Sequence, residues 1–161
     1  MAHSPVYILG GSQTDFSRNW NREGSDIYGL FEASLNDALA STQIDAEDVE
    51  VAHVGNFVSA LFTGQALLNG FFGHVHPSLN NIPTSRHEAA CASGSMALLA
   101  AMRDIEAGHY GLACVLGIEL MRNVDGKTGA DHLGAAAWRG IETQGCTYPW
   151  PHMFASIYDI Y

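Results

Sequence analysis

The stretch best suited to chemistry is EAACASGSMALLAAM, residues 88–102, where a cysteine stands at the head of an apolar helical pattern. If a strand feeds a tight turn there, Cys91 lies where free backbone N–H groups and about half a positive charge favour a thiolate over a thiol. The three small residues after it let a substrate approach the backbone, and the N–H of Cys91 could face a developing oxyanion. The alternative is a cysteine that only packs in the core. Spacing alone leaves both interpretations open.

Histidines offer a second kind of chemistry, since the chain holds eight of them. His74 and His76 form the tightest pair, but no third ligand stands at a recognised spacing, so no metal site is predicted. His87 precedes the cysteine turn and could reach it from one face of a strand, although a structural role is favoured. Glycine-rich nucleotide loops of GxGxxG or Walker type do not occur.

Composition limits the classes of partner. Acidic residues number 17 and basic residues 7, which gives a net charge of −10. Nucleic acids and anionic membranes are therefore not expected as partners. The longest uncharged apolar run falls short of the roughly 20 residues that a membrane-spanning helix needs. Only 15% of residues are charged, which suggests that another subunit or further chain covers part of the surface.

The three cysteines indicate a compartment. The chain holds an odd number of cysteines at wide spacings, namely Cys91, Cys114 and Cys146. Neither a disulfide framework nor a zinc ribbon is therefore predicted. A reducing environment fits them best. The first residues lack a basic region followed by a long apolar stretch, so no signal peptide is evident. We therefore predict a cytoplasmic protein.

Alternating strands and helices are predicted to position these residues. The strands are Pro5–Gly11, Val51–Val58, Ser85–Ala90 and Leu112–Leu120. The first predicted helix begins at Ile27, after a cap at Ser25 or Asp26, and ends at about Ala40. Further helices are predicted over Gly64–Val75 and Gly94–Ala107, and a last one begins at Phe154. Pro77–Pro83 is predicted to be a loop. Strong apolar strands between helices indicate an α/β fold with a parallel sheet.

The segments AACASGSMALLAA and IEAGHYGLACVLGIELM together resemble the nucleophile region of the thiolase family. In that family CASG opens a buried helix, and the next strand ends in a G-x-E-x-M motif, matched here by Gly117, Glu119 and Met121. The likeness runs over most of the chain and is nearer to the sterol-carrier-protein-type branch. It implies the layered αβαβα fold of that family. Residues 1–120 would form its N-terminal half and residues 121–161 the start of its loop domain, with the C-terminal half absent.

The resemblance also implies an activity. Thiolases are acyl-CoA C-acyltransferases that form or cleave 3-ketoacyl-CoA, and their cysteine, here Cys91, carries the acyl group. Coenzyme A thioesters are substrates, and neither a metal nor a resident cofactor is implied. His152 and Met153 match a pair that lines the family's pocket beside the thioester. The alternative is that Met153 belongs to the apolar face of a helix.

The chain departs from the family in what it lacks. The family's activating histidine, second cysteine and water-positioning asparagine lie in its second half, and Cys114 and Cys146 do not replace them. We therefore expect this chain alone to do little beyond slow acylation. A homo-oligomer, or a second chain supplying the C-terminal half, is expected, and the isolated chain should associate or aggregate. Two rivals remain: a non-catalytic subunit that binds acyl-CoA or a partner chain, and acyl transfer of retro-aldol or polyketide type.

Overall fold

In a computed structural model, which describes residues 5–160, three parallel strands form one sheet. The central strand is β1 (Val51–Gly55), flanked by β2 (Thr84–His87) on one side and β3 (Ala113–Gly117) on the other. The carboxyl ends of the three strands therefore meet at a single edge. The predicted α/β class with a parallel sheet is confirmed.

Six α-helices surround this sheet in the described part of the chain. They are α1 (Ile27–Thr42), α2 (Ser59–Thr63), α3 (Phe71–Val75), α4 (Ser93–Glu106), α5 (Gly126–Leu133) and α6 (Pro149–Tyr158). Asp26 caps α1 by accepting the N–H of Gly29, as predicted. Measured over residues 5–160, every helix is too short or too polar to cross a bilayer.

The two faces of the sheet carry different partners. Ala52 and Val54 point to a core with α1 and α3, where Phe31 and Phe72 are fully buried and meet edge to face at 5.0 Å. The opposite face of β1 receives α4, which contacts all three strands. Helices on both faces explain why every residue of β1 is buried.

Gly55 and Gly94 allow the backbone of α4 to lie directly against the backbone of β1. A Cβ atom on Gly55, the last residue of β1, would lie 2.6 Å from the Cα of Gly94 and 2.7 Å from the carbonyl oxygen of Ser93. No side chain fits between the two backbones there. The first turn of α4 is thus fixed on the carboxyl end of β1.

A buried polar cluster ties the other end of α4 to the strands. His53, only 5% exposed, has its Nδ1 2.9 Å from Ser85 Oγ and 3.0 Å from His87 Nε2. Its Nε2 lies 3.1 Å from Asp104 Oδ2 on α4. Burial lowers the pKa of His53, and the Asp104 carboxylate opposes that shift. One imidazole thus joins β1, β2 and α4.

The predicted strand Pro5–Gly11 is wrong. Within the described chain these residues belong to no strand ladder, and Tyr7, Ile8 and Leu9 are exposed. A strand needs a partner edge that exchanges backbone hydrogen bonds with it. Instead, the segment borders an open groove of about 630 Å³ that α1, α4 and β3 also line.

Other helices and strands begin or end at residues different from those predicted. The helix predicted over Gly64–Val75 does not begin at Gly64, because Leu67 adopts a left-handed φ of 53°. A 3-10 turn at Leu68–Gly70 leads instead into the short α3. The predicted loop after it contains a 3-10 turn at Pro77–Asn81. The strand predicted to reach Ala90 ends at His87. The last helix begins at Pro149, since proline suits the first helical position.

The segment after residue 120 holds α5 and α6, which pack on each other. Phe62 of α2 meets His132 of α5 edge to face at 5.0 Å. The boundary between predicted domains 1–120 and 121–161 stays a prediction. Residues 1–4 and 161, which those domains include, lie outside the described residues.

Replacing Gly55 with alanine should destabilise the protein, because the added Cβ would overlap the backbone of α4. We expect a loss of about 1–3 kcal/mol in the free energy of unfolding. Gly126→Ala is the matched control, since a Cβ there meets no atom within 4 Å. Urea denaturation of both variants measures the difference. An equal free energy of unfolding for the two variants would contradict the close contact between the backbones of Gly55 and Gly94.

Acidification should weaken the fold through His53. Because its pKa is lower in the folded state than the ordinary 6.5, the unfolded chain binds more protons between these two values. The free energy of unfolding should therefore fall from about pH 8 to about pH 5.5, and fall less in His53→Gln, which cannot titrate. Urea denaturation at both pH values gives the comparison. The same pH dependence in both proteins would show that His53 does not contribute.

Candidate active site

Cys91 lies at the carboxyl edge of the sheet. β2 ends at His87, and the chain then passes through a 3-10 turn, Ala90–Ala92, into α4. The side chain of Cys91 is exposed. The predicted order of strand, tight turn and helix is therefore present, and among the described residues Cys91 does not pack in the core.

The residue before the cysteine is strained. Ala90 has a φ of 49°, in the left-handed region that side chains disfavour. A non-glycine residue in such a conformation costs about 1–3 kcal/mol and persists only where its surroundings hold it. The turn is therefore built by interactions rather than by the preference of its own backbone.

Two side chains provide those interactions. The hydroxyl of Ser93 accepts the N–H of Ala89 at 3.0 Å and donates to the carbonyl of Ala90 at 2.7 Å. The carboxylate of Glu88 accepts the N–H of Ala90 at 2.6 Å. The N–H groups of Ala89 and of the strained Ala90 are thus both taken by side-chain oxygens.

One amide of the turn is left open. The N–H of Ala92 donates to the carbonyl of Ala89 at 2.9 Å, and that of Ser93 donates to the carbonyl of Ala90. Within residues 5–160, the N–H of Cys91 enters no hydrogen bond. It stands just before the N-terminus of α4, where the helix dipole favours negative charge. The turn thus offers a thiol and a free donor on the same residue.

A second network stiffens the same edge of the sheet. Arg86 donates through Nε to Asn56 Oδ1 at 3.0 Å and through Nη2 to the carbonyl of Phe57 at 2.6 Å. Asn56, which is buried, donates to the carbonyl of Ile118 at 2.8 Å. Asn56 therefore joins the segments that follow β1 and β3, and Arg86 of β2 holds Asn56 in place.

Glu119 completes this network and leaves one acceptor unused. Its Oε2 accepts the N–H of Phe57 at 2.8 Å, whereas its Oε1 is buried without a partner among the described residues. Burial raises the pKa of Glu119, and the amides of Phe57 and Val58 oppose that shift. The glutamate of the G-x-E-x-M motif thus braces the edge of the sheet.

The other predicted pocket residues lie elsewhere. His152 is exposed and Met153 half-buried on α6, and α6 packs against α5. No hydrogen bond of the described residues joins either side chain to the turn of Cys91. Their contact with a substrate stays a prediction.

Cys114, His74 and His76 lie outside the turn of Cys91. Cys114 lies inside β3, where burial raises the pKa of its thiol to about 11. His76 Nε2 lies 2.8 Å from Asn36 Oδ1, and the His74 ring meets Tyr28 edge to face. Within residues 5–160, no three His, Cys, Asp or Glu side chains are grouped so that they could hold a metal ion.

Comparison with known proteins gives concordant matches. The sequence profile described as "Thiolase, N-terminal domain" matches residues 6–155. Acetyl-CoA acetyltransferase of Methanocaldococcus jannaschii is 34% identical over 145 residues, and that of Methanothermobacter thermautotrophicus is 32% identical. Each alignment covers 89% of this chain and 36% of the relative. Benzoylsuccinyl-CoA thiolase subunit BbsB of Thauera aromatica is 34% identical over 71% of this chain and 28% of its own.

Alkylation should distinguish the thiols of Cys91 and Cys114. Under native conditions iodoacetamide should modify exposed Cys91 at least about tenfold faster than Cys114. Cys114 is half-buried, and its raised thiol pKa leaves little of the reactive thiolate. Peptide mass spectrometry over a time course gives both rates. In the control variant Cys91→Ser, the rate at Cys114 should be unchanged. Modification of Cys114 as fast as Cys91 would contradict the structure.

Proposed function

The chain belongs to the thiolase family, and we propose that it carries the acyl-accepting cysteine of an acyl-CoA C-acyltransferase that forms or cleaves 3-ketoacyl-CoA. The observation that carries the proposal is the exposed thiol of Cys91 beside the one open amide of its turn. The chain spans 36% of the length of its two acetyltransferase relatives. The activity of a whole enzyme is therefore part of the proposal.

The proposed chemistry is an exchange of thioesters. The sulfur of Cys91 attacks the carbonyl carbon of an acyl-CoA, and the oxygen that gains negative charge faces the N–H of Cys91. The tetrahedral intermediate collapses by breaking the bond to the sulfur of CoA, which leaves with the proton that the thiol gave up. One thioester replaces another, so the acyl-cysteine stays reactive.

The second half of the reaction uses the acyl group on Cys91. In synthesis, the enolate of a second thioester attacks its carbonyl carbon and forms the new carbon–carbon bond, which releases the cysteine thiolate. In cleavage, the sulfur of Cys91 first attacks the 3-keto carbon of a 3-ketoacyl-CoA, the carbon–carbon bond breaks, and the departing enolate takes up a proton and leaves as a shorter acyl-CoA. The sulfur of free CoA then attacks the acyl-cysteine and releases the cysteine thiolate. Coenzyme A thioesters are substrates throughout, and we propose no metal or resident cofactor.

Further groups must assist the thiol. Within residues 5–160, no hydrogen bond reaches the sulfur of Cys91, so its base lies outside the contacts of this chain. We propose that the base, and the acid that forms the enolate, come from a C-terminal half or a second chain. One relative is itself named a thiolase subunit. The exposed apolar side chains of α6 and of residues 7–9 support such an assembly.

Two narrower expectations belong to the same proposal. His152 and Met153 would line the pocket beside the thioester once the assembly brings α6 to the turn of Cys91. The protein would work in the cytoplasm, since its three cysteines are free thiols.

Acyl transfer to Cys91 tests the proposal directly. After incubation with acetyl-CoA, the intact mass should show one acetyl adduct, which peptide mapping places on Cys91 and free CoA removes. Cys91→Ser is the control and should stay unmodified, because the hydroxyl is a far weaker nucleophile. Acetyl-CoA binding without an adduct would favour the non-catalytic subunit. Cleavage of a ketoacyl-CoA without free CoA would favour retro-aldol chemistry.

A further inference from the structure

We propose that Ser93 and Glu88 are positioning residues, which close the amides beside Cys91 so that only its own N–H can receive the acyl oxygen. The proposal rests on the acyl transfer proposed for Cys91. It adds a role for two side chains that do not themselves touch the reacting atoms.

The hydroxyl of Ser93 bridges the strained residue from both sides. It is buried, with the residue 4% exposed, and it joins the N–H of Ala89 to the carbonyl of Ala90. A hydroxyl carries one hydrogen and two lone pairs, so it can make both bonds at once. The serine thus spans the peptide unit between Ala89 and Ala90, directly ahead of the cysteine.

The direction of this bond separates it from ordinary helix capping. A capping serine stands before its helix and accepts an N–H two or three residues later in the chain. Ser93 is the first residue of α4 and accepts an N–H four residues earlier. Its hydroxyl therefore serves the turn of Cys91 rather than the end of α4.

Glu88 closes the second amide. Its carboxylate accepts the N–H of Ala90 at 2.6 Å, a charge-assisted bond. Without Ser93 and Glu88, the amides of Ala89, Ala90 and Cys91 would all lack acceptors at the edge where a thioester arrives. An acyl oxygen bound to a neighbouring amide would hold the carbonyl carbon away from the sulfur.

Strain explains why both side chains matter. Ala90 keeps its φ of 49° only while its neighbours hold it there. Loss of the Ser93 hydroxyl frees the amide of Ala89 and leaves the carbonyl of Ala90 only the backbone N–H of residue 93 as a donor. The turn can then relax, and the thiol and N–H of Cys91 lose their common orientation toward one substrate.

The test compares two reactions of Cys91 in the full chain. Acetyl transfer from acetyl-CoA needs the open amide, whereas alkylation by iodoacetamide needs only an accessible thiol. We expect Ser93→Ala to slow acetyl transfer by on the order of tenfold to a hundredfold and to change alkylation little. Ser93→Thr, which keeps a hydroxyl, should restore most of the rate. Ser95→Ala is the matched control, because Ser95 is an exposed serine in the same turn of α4.

Glu88 is tested in the same way. Glu88→Gln keeps an oxygen that can accept the N–H of Ala90, and it should retain more acetyl transfer than Glu88→Ala. Equal acetyl transfer in Ser93→Ala and Ser95→Ala would overturn the proposal. So would a parallel fall of both reactions in Ser93→Ala, which would mark a purely structural role.

Amide exchange measured by NMR separates this proposal from the function on which it rests. In the wild-type chain the N–H groups of Ala89 and Ala90 should exchange slowly and that of Cys91 quickly, and Ser93→Ala should release Ala89. If acetyl-CoA transfers no acetyl group to the wild-type chain, the proposed function fails. The amide exchange rates then decide by themselves whether Ser93 and Glu88 are positioning residues. Exchange of Ala89 as fast as Cys91 in the wild-type chain would overturn the positioning.

Discussion

The contact between the backbones of Gly55 and Gly94 is the constraint on which the site depends. It places the first turn of α4 directly on the last residue of the central strand. The turn of Cys91 is the short connection between β2 and this anchored helix end, so its path is fixed at both ends. Any larger residue at position 55 would move the helix and, with it, the residue that offers both thiol and amide.

Two polar networks support this contact from different sides. At the carboxyl edge, Arg86 of β2, Asn56 and Glu119 join β2 to the segments that follow β1 and β3. Toward the other end of α4, the cluster around His53 ties the helix to β1 and β2. Because buried polar groups are costly unless they are paired, such networks hold one arrangement of strands and helix in preference to others.

Much of the fold was predictable from the sequence, because apolar strands and the α4 pattern carry strong local signals. The position of Cys91 in a turn between strand and helix also followed from its neighbours. The strand predicted over Pro5–Gly11 was wrong, since pairing depends on a partner edge and not on the apolar run itself. The left-handed Ala90 and the backward bond of Ser93 could not be predicted, because alanine gives no sign of positive φ and serine forms many local bonds. The closeness of His152 and Met153 to the thioester stays a prediction.

The parallel register has a consequence for how the protein folds. Ala52 pairs with Thr84 on one side, 32 positions later, and with Cys114 on the other, 62 positions later. Contacts so distant along the chain form slowly, because a long loop must close before any pairing energy is gained. Cys91 directly follows β2, so its turn reaches the edge of the sheet only once the first of these distant pairings exists. A newly made chain therefore passes through states with bare strand edges, in which association with other chains competes with completion of the site.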